Sequence, residues 1–363
     1  MRKSMGLTGR GVVCALVSVT LSATLSSAAA APAPEESSRI PFAERYRAVQ
    51  HGGIARAANS SITCGAAATG TAAPCSGAQQ GGPGVNGHYR MAYIDVDSDP
   101  NTYNSSSADL RLPADSRVSY ARLYWGGNLR VGEQKPPKDN ERVLIAEPGG
   151  RYKQVLADTV TGHRTTSRTD GFQASADVTK LVRDSGSGAY TVAQINVAMG
   201  HSPAGAWGGW TLVVAYENAR EPLRSLALWD GFQPLGKKQP ALSVGLDKLR
   251  IPANASGSAG VVAYNGDRGE GNDGLSVAAD QGPPVSLTDS ANPANDVMNS
   301  TITDYGRDTV RLPAYRNTLG FDSDVFDIKS ALRSGGDRLT FRFDPRDAGY
   351  LVGALFVQAE SRR

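Results

Sequence analysis

Clear strand signals are VSYARLYW at residues 118–125 and TLVVAY at residues 211–216. Both are short and rich in β-branched and aromatic residues, as β-strands are. Clusters of Gly, Pro, Asn, Asp and Ser separate them from similar runs, as turns would. Because few segments carry a sustained 3.6-residue apolar period, the sequence predicts an all-β protein. The other predicted strands are residues 90–96, 190–198, 223–229, 260–264, 338–343 and 350–358.

The order of motifs also repeats along the chain. LRLPAD at residues 110–115 is echoed by LRIPAN at residues 249–254, and each half closes with an apolar strand, at 211–216 and 351–357. This predicts two tandem β-sandwiches, jelly-roll or immunoglobulin-like, over residues 85–240 and 241–363. Chance similarity between β-rich halves and a single large sandwich are the alternatives.

The N-terminus predicts export. Arg2, Lys3 and Arg10 precede a short apolar run at residues 11–25, and Ala-x-Ala spacing follows within residues 27–31. This order is typical of a secretory signal peptide, and its apolar run is too short to span a membrane. We therefore expect a signal peptide over residues 1–31 and a secreted protein, extracellular or loosely associated with the cell surface.

Residues 32–84 form a predicted N-terminal segment held by a disulfide. Cys64 and Cys75 are close in sequence, and outside the cytoplasm such a pair is more often oxidised than metal-bound. Closing this short loop contributes about 3 kcal/mol to stability; two free cysteines are the alternative. Within the segment, Phe42, Tyr46 and Val49 share one side of a weak predicted helix over residues 42–50.

Charge argues against nucleic acid as a partner. The chain has 38 Lys and Arg against 35 Asp and Glu, with no long basic run, so it lacks the electrostatic footprint of a nucleic-acid-binding protein. No apolar stretch of the exported protein suggests a membrane span.

Motifs for catalysis are incomplete. Residues 200–205 (GHSPAG) approach a nucleophile elbow, but Ala204 replaces the second glycine that the motif requires. Residues 269–274 (GEGNDG) match the dinucleotide pattern, but acidic side chains there would repel a pyrophosphate. The four histidines show no metal-binding spacing. We predict no catalytic residues.

Acidic loops are candidate calcium sites, because calcium prefers oxygen ligands. The first candidate set is Asp95, Asp97 and Asp99, and the second is Asp267, Asn272 and Asp273; Asp322, Asp324 and Asp327 form a third group. The alternative is that Asp and Asn serve ordinary turns through their own hydrogen bonds. Calcium is the only cofactor that the sequence suggests.

Tryptophans flanked by glycine are the candidate ligand-binding residues. Trp207 and Trp210 lie in the run AWGGW, and exposed aromatic rings stack on sugars. Buried rings in a sandwich core are the alternative.

Several motifs in order resemble a known family. They are DVDSDP at 95–100, LYWGG at 123–127, GGWTLVVAYE at 208–217, WDGF at 229–232, YNGD at 264–267 and LGFDSD at 319–324. Together they resemble the N-terminal module of large exported bacterial surface proteins that carry tandem immunoglobulin-like repeats. The likeness extends from about Ile62 to Val357, without the repeats. It implies a surface role and no assigned activity.

These observations predict a secreted, non-catalytic structural or recognition module of the bacterial cell surface or extracellular matrix. Its expected partners are cell-wall or extracellular polysaccharides or other surface proteins. Two alternatives stay open: a carbohydrate- or cell-wall-binding protein, and a secreted hydrolase without a recognisable motif, since paired carboxylates from distant strands leave no sequence signature.

Overall fold

Strands dominate the computed structural model, which describes residues 40–70, 72–165, 169–236, 241–269, 272–280, 282–345 and 349–362. The α-helices of these residues are α1 (Cys75–Gln79) and α2 (Thr179–Ser185). The prediction of an all-β protein is therefore confirmed. None of the helices in these ranges has the length and apolar character needed to cross a membrane. The predicted signal peptide, residues 1–31, lies outside the described residues.

The strands are numbered in chain order. Up to residue 236 they are β1 (Ile40–Ser60), β2 (Ile62–Ala67), β3 (Tyr89–Tyr93), β4 (Ser105–Leu110), β5 (Arg117–Asn128), β6 (Arg142–Ala146), β7 (Lys153–Leu156), β8 (Thr159–Thr165), β9 (Asp170–Asp177), β10 (Gly188–Ala193), β11 (Gly208–Glu217) and β12 (Leu223–Leu235). From residue 241 onward they are β13 (Leu242–Leu246), β14 (Gly257–Tyr264), β15 (Gly274–Ala279), β16 (Val285–Ser286), β17 (Thr303–Asp304), β18 (Arg307–Asp308), β19 (Arg311–Leu312), β20 (Phe321–Asp327), β21 (Leu339–Asp344) and β22 (Tyr350–Glu360).

These strands form four sheets within the described ranges. The largest has eleven strands in the order β18-β17-β20-β14-β22-β12-β1-β11-β5-β9-β8. Its neighbours are antiparallel except for β17 and β20. A five-stranded sheet has the order β19-β4-β10-β6-β7, and a four-stranded sheet has the order β13-β21-β15-β16, while β2 pairs with β3.

The large sheet has two arms: strands β11, β5, β9 and β8 lie on one side of the central strands β1 and β12, and strands β22, β14, β20, β17 and β18 lie on the other. Each smaller sheet packs on one arm. The five-stranded sheet and strands β5, β9 and β11 enclose one apolar cluster, which includes Leu123, Tyr190 and Leu212. The four-stranded sheet and strands β14 and β22 enclose a second cluster, which includes Val261 and Phe341. Burial of these side chains is the main stabilising contribution to both halves.

The large sheet curves so that its two arms face each other. A third apolar cluster combines Tyr124 of β5 with Phe356 of β22, although these strands are far apart in the sheet order. The hydroxyl of Thr211 on β11 lies 3.1 Å from that of Ser323 on β20. Strands β1 and β12, at the middle of the order, join the arms. The concave side of this sheet is therefore a junction between both halves.

The predicted helix at residues 42–50 is wrong. These residues belong to β1, which pairs with β11 on one side and with β12 on the other. In a strand, successive side chains point to opposite faces, so Tyr46 and Val49 do not share a side: Val49 is 59% exposed, whereas Tyr46 packs on the third apolar cluster. Pairing on both edges outweighs a weak local helical pattern, because tertiary contacts override propensity.

Strand order is similar in the two arms. Strand β5 lies between β11 and β9, and β14 lies between β22 and β20. The neighbours β11 and β22 are the apolar strands that were predicted to close the two halves of the chain. The other neighbours, β9 and β20, end in Asp177 and Asp327. Internal duplication stays a prediction, which superposition of residues 85–240 on 241–363 would test. Part of the predicted boundary, residues 237–240, lies outside the described residues.

The predicted disulfide is confirmed. Cys64 lies on β2 and Cys75 begins α1, and the two are bonded. Both belong to a small apolar cluster that also includes Tyr89 and Ala78. The bond therefore fastens α1 to the β2–β3 pair.

Candidate functional site

A groove of about 500 Å³ opens on the concave side of the large sheet. Its floor carries side chains from strands of both arms, and the segment of residues 304–310 forms one wall. Pockets of this size, placed between two structural units, are preferred ligand sites. The floor residues are Ile54, Arg56, Tyr216, Ser258, Phe356 and Gln358.

The groove floor is fixed by cross-strand contacts. The side-chain amide of Gln358 accepts a hydrogen bond from the backbone N–H of Ile54 at 2.8 Å and donates one to the hydroxyl of Ser258 at 2.9 Å. The ring of Phe356 lies across Gly260, where a Cβ would come within 2.0 Å of the ring. Only glycine at this position leaves room for the ring.

The wall of the groove carries an exposed aromatic ring in an unusual backbone conformation. Strands β17 and β18 are joined by a two-residue turn, Tyr305-Gly306. Both residues have positive φ, 53° and 73°, as in a type I′ turn, where Asn-Gly is preferred. Tyr305 is 50% exposed. Its N–H donates to the carbonyl of Val325 at 2.8 Å, so the turn is fastened to β20.

Arg56 is the buried charge of the floor. Its side chain is 1% exposed, and its Nη2 donates to the carbonyl of Thr303 at 2.9 Å and to the carboxylate of Asp304 at 2.5 Å. It thus reaches from β1 to β17 across the concave side. The sequence does carry a signal for this residue, a lone arginine in the small and apolar run GGIARAA, but our sequence analysis missed it.

The carboxylates that line the groove face arginines. Asp304 pairs with Arg56, Asp308 lies 2.9 Å from Arg316, and Asp109 lies 3.8 Å from Arg111. Each carboxylate of the groove lining is thus engaged in an ion pair with an arginine.

A second depression, of about 370 Å³, is a weaker candidate. It is lined by Tyr103 and Lys135. The ammonium group of Lys135 lies 4.7 Å from the centre of the Tyr103 ring, so that the aromatic face is already covered by a cation. The central groove offers an uncovered ring instead.

The tryptophans that the sequence suggested as ligand-binding residues require a correction. Trp207 and Trp210 are 1% and 0% exposed. The indole N–H of Trp210 donates to the hydroxyl of Ser106 at 2.9 Å, and Trp207 packs on Tyr264 with ring centres 5.6 Å apart. Rings without solvent contact cannot stack on a sugar. They build the core, because the arm around β11 is covered on both faces.

The first predicted calcium set, Asp95, Asp97 and Asp99, lies in the loop between β3 and β4. Asp95 accepts a hydrogen bond from the hydroxyl of Ser105 at 2.7 Å. Asp97 accepts one from the N–H of Asp99, and Asp99 accepts one from the N–H of Asn101, both at 2.9 Å. These are the local bonds by which aspartate stabilises turns.

The second set, Asp267, Asn272 and Asp273, flanks residues 270 and 271, which lie outside the described residues. Asp267 accepts a hydrogen bond from the N–H of Asn86 at 3.2 Å, and the buried Asp273 accepts one from the N–H of Val297 at 2.8 Å. No group of three or more His, Cys, Asp or Glu side chains in the described ranges is placed to hold a metal. Calcium binding stays a prediction.

The third acidic group is split by the fold. Asp322 and Asp324 are 0% exposed, whereas Asp327 lies exposed at the end of the same strand. Burial raises the pKa of Asp322 well above its ordinary value and that of Asp324 to about 7, although hydrogen bonds from Thr303 oppose the shift of Asp324. Two of the three carboxyl groups are thus part of the interior.

The incomplete nucleophile elbow is not assembled into a catalytic site. Ser202 lies in the loop before β11, and no described group hydrogen-bonds to its hydroxyl. The ring of His201 instead lies 3.1 Å from the carbonyl oxygen of Gly87 through Nε2. A serine nucleophile needs a base within hydrogen-bond reach.

Comparison with family models and with curated proteins gives no match. Among solved structures, PNGase F, a glycosylasparaginase from Flavobacterium meningosepticum, is similar over 74% of this chain and 95% of its own, with 12% identity and a TM-score of 0.22. A structure of the Gx strain of infectious bursal disease virus is similar over 89% of this chain and 73% of its own, with 10% identity and a TM-score of 0.24. At these TM-scores the likenesses carry no functional argument.

Proposed function

We propose that this chain is an extracellular recognition module that binds its ligand in the central groove and catalyses no reaction. The observation that carries the proposal is Tyr305, an exposed ring held at positive φ on the groove wall. Left-handed backbone is costly for a residue with a bulky side chain. Because the ring is half-exposed, its burial offsets little of this cost. Residues in such strained conformations cluster at ligand sites.

The ligand class that fits the groove best is a carbohydrate of the cell wall or extracellular matrix. Tyr305 offers an aromatic face, and the exposed arginines Arg111 and Arg307 line the groove beside it. Tyrosine and arginine are enriched among residues that dominate binding energy. The disulfide and the predicted signal peptide support an extracellular location. The resemblance to exported surface proteins agrees with this role and stays an expectation.

The test compares Tyr305→Gly with the wild-type full chain in binding to purified cell walls and polysaccharides. Glycine removes the cost of left-handed backbone, about 1–2 kcal/mol, but gives the unfolded chain more conformational freedom, which costs about 0.4–1 kcal/mol. We therefore expect the free energy of unfolding of the variant to be close to that of wild type. Removing the ring should weaken polysaccharide binding about tenfold or more, as expected for a hot-spot side chain.

Leu156→Ala is the matched control, because Leu156 is 64% exposed and does not line the groove. It should bind as wild type does. Undiminished binding by Tyr305→Gly would overturn the groove as the site. Release of new reducing ends from a polysaccharide by the purified protein would overturn the non-catalytic part of the proposal and favour a hydrolase.

A further inference from the structure

Two arginines behind the groove are buried with too few acceptors. With backbone and side chain counted together, Arg56 and Arg311 are each 7% exposed. Nη2 of Arg311 donates to the carbonyl of Tyr315 at 2.7 Å, and Nη2 of Arg56 donates to residues 303 and 304. For Nε and Nη1 of either guanidinium, no described atom is an acceptor.

Such donors destabilise a fold unless something compensates them. A buried guanidinium loses its hydration, and N–H groups that find no acceptor keep that cost. Burial lowers the pKa of Arg311 to about 10; the charge of Asp308 opposes this shift, and the charge of Arg56 adds to it. Arg311 is therefore still charged at neutral pH, next to a second positive charge. Asp304 pairs with Arg56 through Nη2 only, so an anion that accepts hydrogen bonds from the Nε and Nη1 groups would compensate both arginines.

The two arginines are close to each other at the edge of the groove. Arg56 lines the groove floor, whereas Arg311 lies behind the wall residues Thr309 and Val310, near enough for the charge of Arg56 to act on it. The hydroxyl of Thr309 is also buried, with no partner in the described part of the chain. Planar guanidinium groups bind carboxylate and phosphate oxygens in pairs of parallel hydrogen bonds.

We propose that the groove ligand is acidic and that one of its anionic groups, a carboxylate or a phosphate, is bound between Arg56 and Arg311. This inference rests on the proposed recognition function of the groove. It narrows the ligand to polymers that carry uronic acids or phosphodiesters, with Tyr305 contacting an adjacent unit.

The first test uses inorganic phosphate as the probe. The thermal midpoint of the full chain is measured in phosphate and in chloride at equal ionic strength. Phosphate should raise the midpoint, because a ligand that binds only the folded state stabilises it. The rise should be lost in Arg311→Met. Without phosphate that variant should be at least as stable as wild type, since methionine removes a buried, incompletely bonded charge.

Arg117→Met is the matched control for net charge. Arg117 has a side chain that is 65% exposed and pairs with Glu217, and it does not line the groove. Its variant should keep the full response to phosphate. Arg311→Lys keeps the charge without the planar fork, so it should retain only part of the response.

The second test identifies the source of the anion. Binding is measured to polygalacturonate, to poly(glycerol phosphate) and to a neutral β-glucan. The acidic polymer that binds should lose about tenfold or more of its affinity with Arg311→Met or Arg56→Met, the range of charge-assisted hydrogen bonds. The neutral glucan should bind weakly and be unaffected by these substitutions.

Two outcomes would overturn the inference. One is an equal response to phosphate in wild type and Arg311→Met; the other is tighter binding of the neutral glucan than of both acidic polymers. Either outcome would mean that internal water, not a ligand, accepts the hydrogen bonds of the Nε and Nη1 groups. Binding of the neutral glucan that depends on Tyr305 would then preserve the proposed function. Anion binding that depends on Arg311 but not on Tyr305 would instead preserve the inference and overturn the proposed function.

Discussion

Asp322 and Asp324 show, at the scale of single residues, how burial changes chemistry. Both lie on β20 and are fully buried. Asp324 accepts hydrogen bonds from the N–H of Thr303 at 2.8 Å and from its hydroxyl at 2.6 Å. Asp322 accepts one from the N–H of Thr301 at 3.1 Å. Desolvation outweighs these bonds and raises the pKa of both carboxyl groups, and the charge of Asp324 adds to the shift of Asp322.

Raised pKa values make stability depend on pH. Between the ordinary aspartate pKa of about 4 and the pKa of about 7 of Asp324, the folded protein holds a proton that the unfolded chain has released. The free energy of unfolding therefore falls as pH rises through this window. Asp324→Asn cannot lose that proton, so its free energy of unfolding should fall less between pH 5 and 7, with a difference on the order of 2 kcal/mol.

Urea unfolding at a series of pH values measures this difference. Asp327→Asn is the control, because Asp327 is exposed at the end of the same strand, and its profile should follow wild type. Parallel profiles for Asp324→Asn and wild type would show that Asp324 is ionised in the folded protein.

At the scale of elements, the Cys64–Cys75 disulfide stabilises a segment that has only a small apolar cluster of its own. Strand β2, helix α1 and strand β3 share a small apolar cluster, and the five-residue helix α1 is too short to be stable alone. The Cys64–Cys75 bond limits the unfolded ensemble of this segment.

The double substitution Cys64→Ser and Cys75→Ser should lower the free energy of unfolding by about 3 kcal/mol, the loop-closure value for so short a loop. Urea unfolding under oxidising conditions measures the loss, with the reduced wild-type protein as a second estimate. A change of a few tenths of a kcal/mol would mean that the small cluster holds the segment without the bond.

At the scale of the whole molecule, β1 makes the two halves depend on each other. It pairs with β11 of one arm along residues 52–60 and with β12 along residues 40–51. Strand β12 in turn pairs with β22 of the other arm. Residues of both arms also share the apolar cluster on the concave side.

The predicted second sandwich, residues 241–363, should therefore not fold alone. Without β12 it lacks the neighbour of β22, and Ala227 and Leu235 are missing from its core. We expect a spectrum of an unfolded or molten chain by circular dichroism and nuclear magnetic resonance, whereas the full chain should unfold in one transition. A dispersed spectrum from the fragment would instead support two independent sandwiches.

The strand-rich class and the disulfide could be predicted from local patterns along the chain. Alternating β-branched and aromatic residues over short runs, as at 118–125 and 211–216, report local strand geometry, and two nearby cysteines report a local bond. Both are short-range properties, so neighbouring residues in the sequence are enough to predict them. The helix at residues 42–50 was mispredicted because local propensity is weak beside pairing on both strand edges.

The candidate site could not be predicted in this way, because it depends on long-range contacts. The groove exists because β1 and β12 join two arms that curve toward each other, and this brings Arg56, Tyr305 and Phe356 together from distant parts of the chain. The same curvature covers Trp207, and the five-stranded sheet covers Trp210. The sequence could not distinguish these buried rings from surface rings. Which face of a strand is buried depends on the sheet that packs against it, and that partner is chosen by long-range contacts rather than by neighbouring residues.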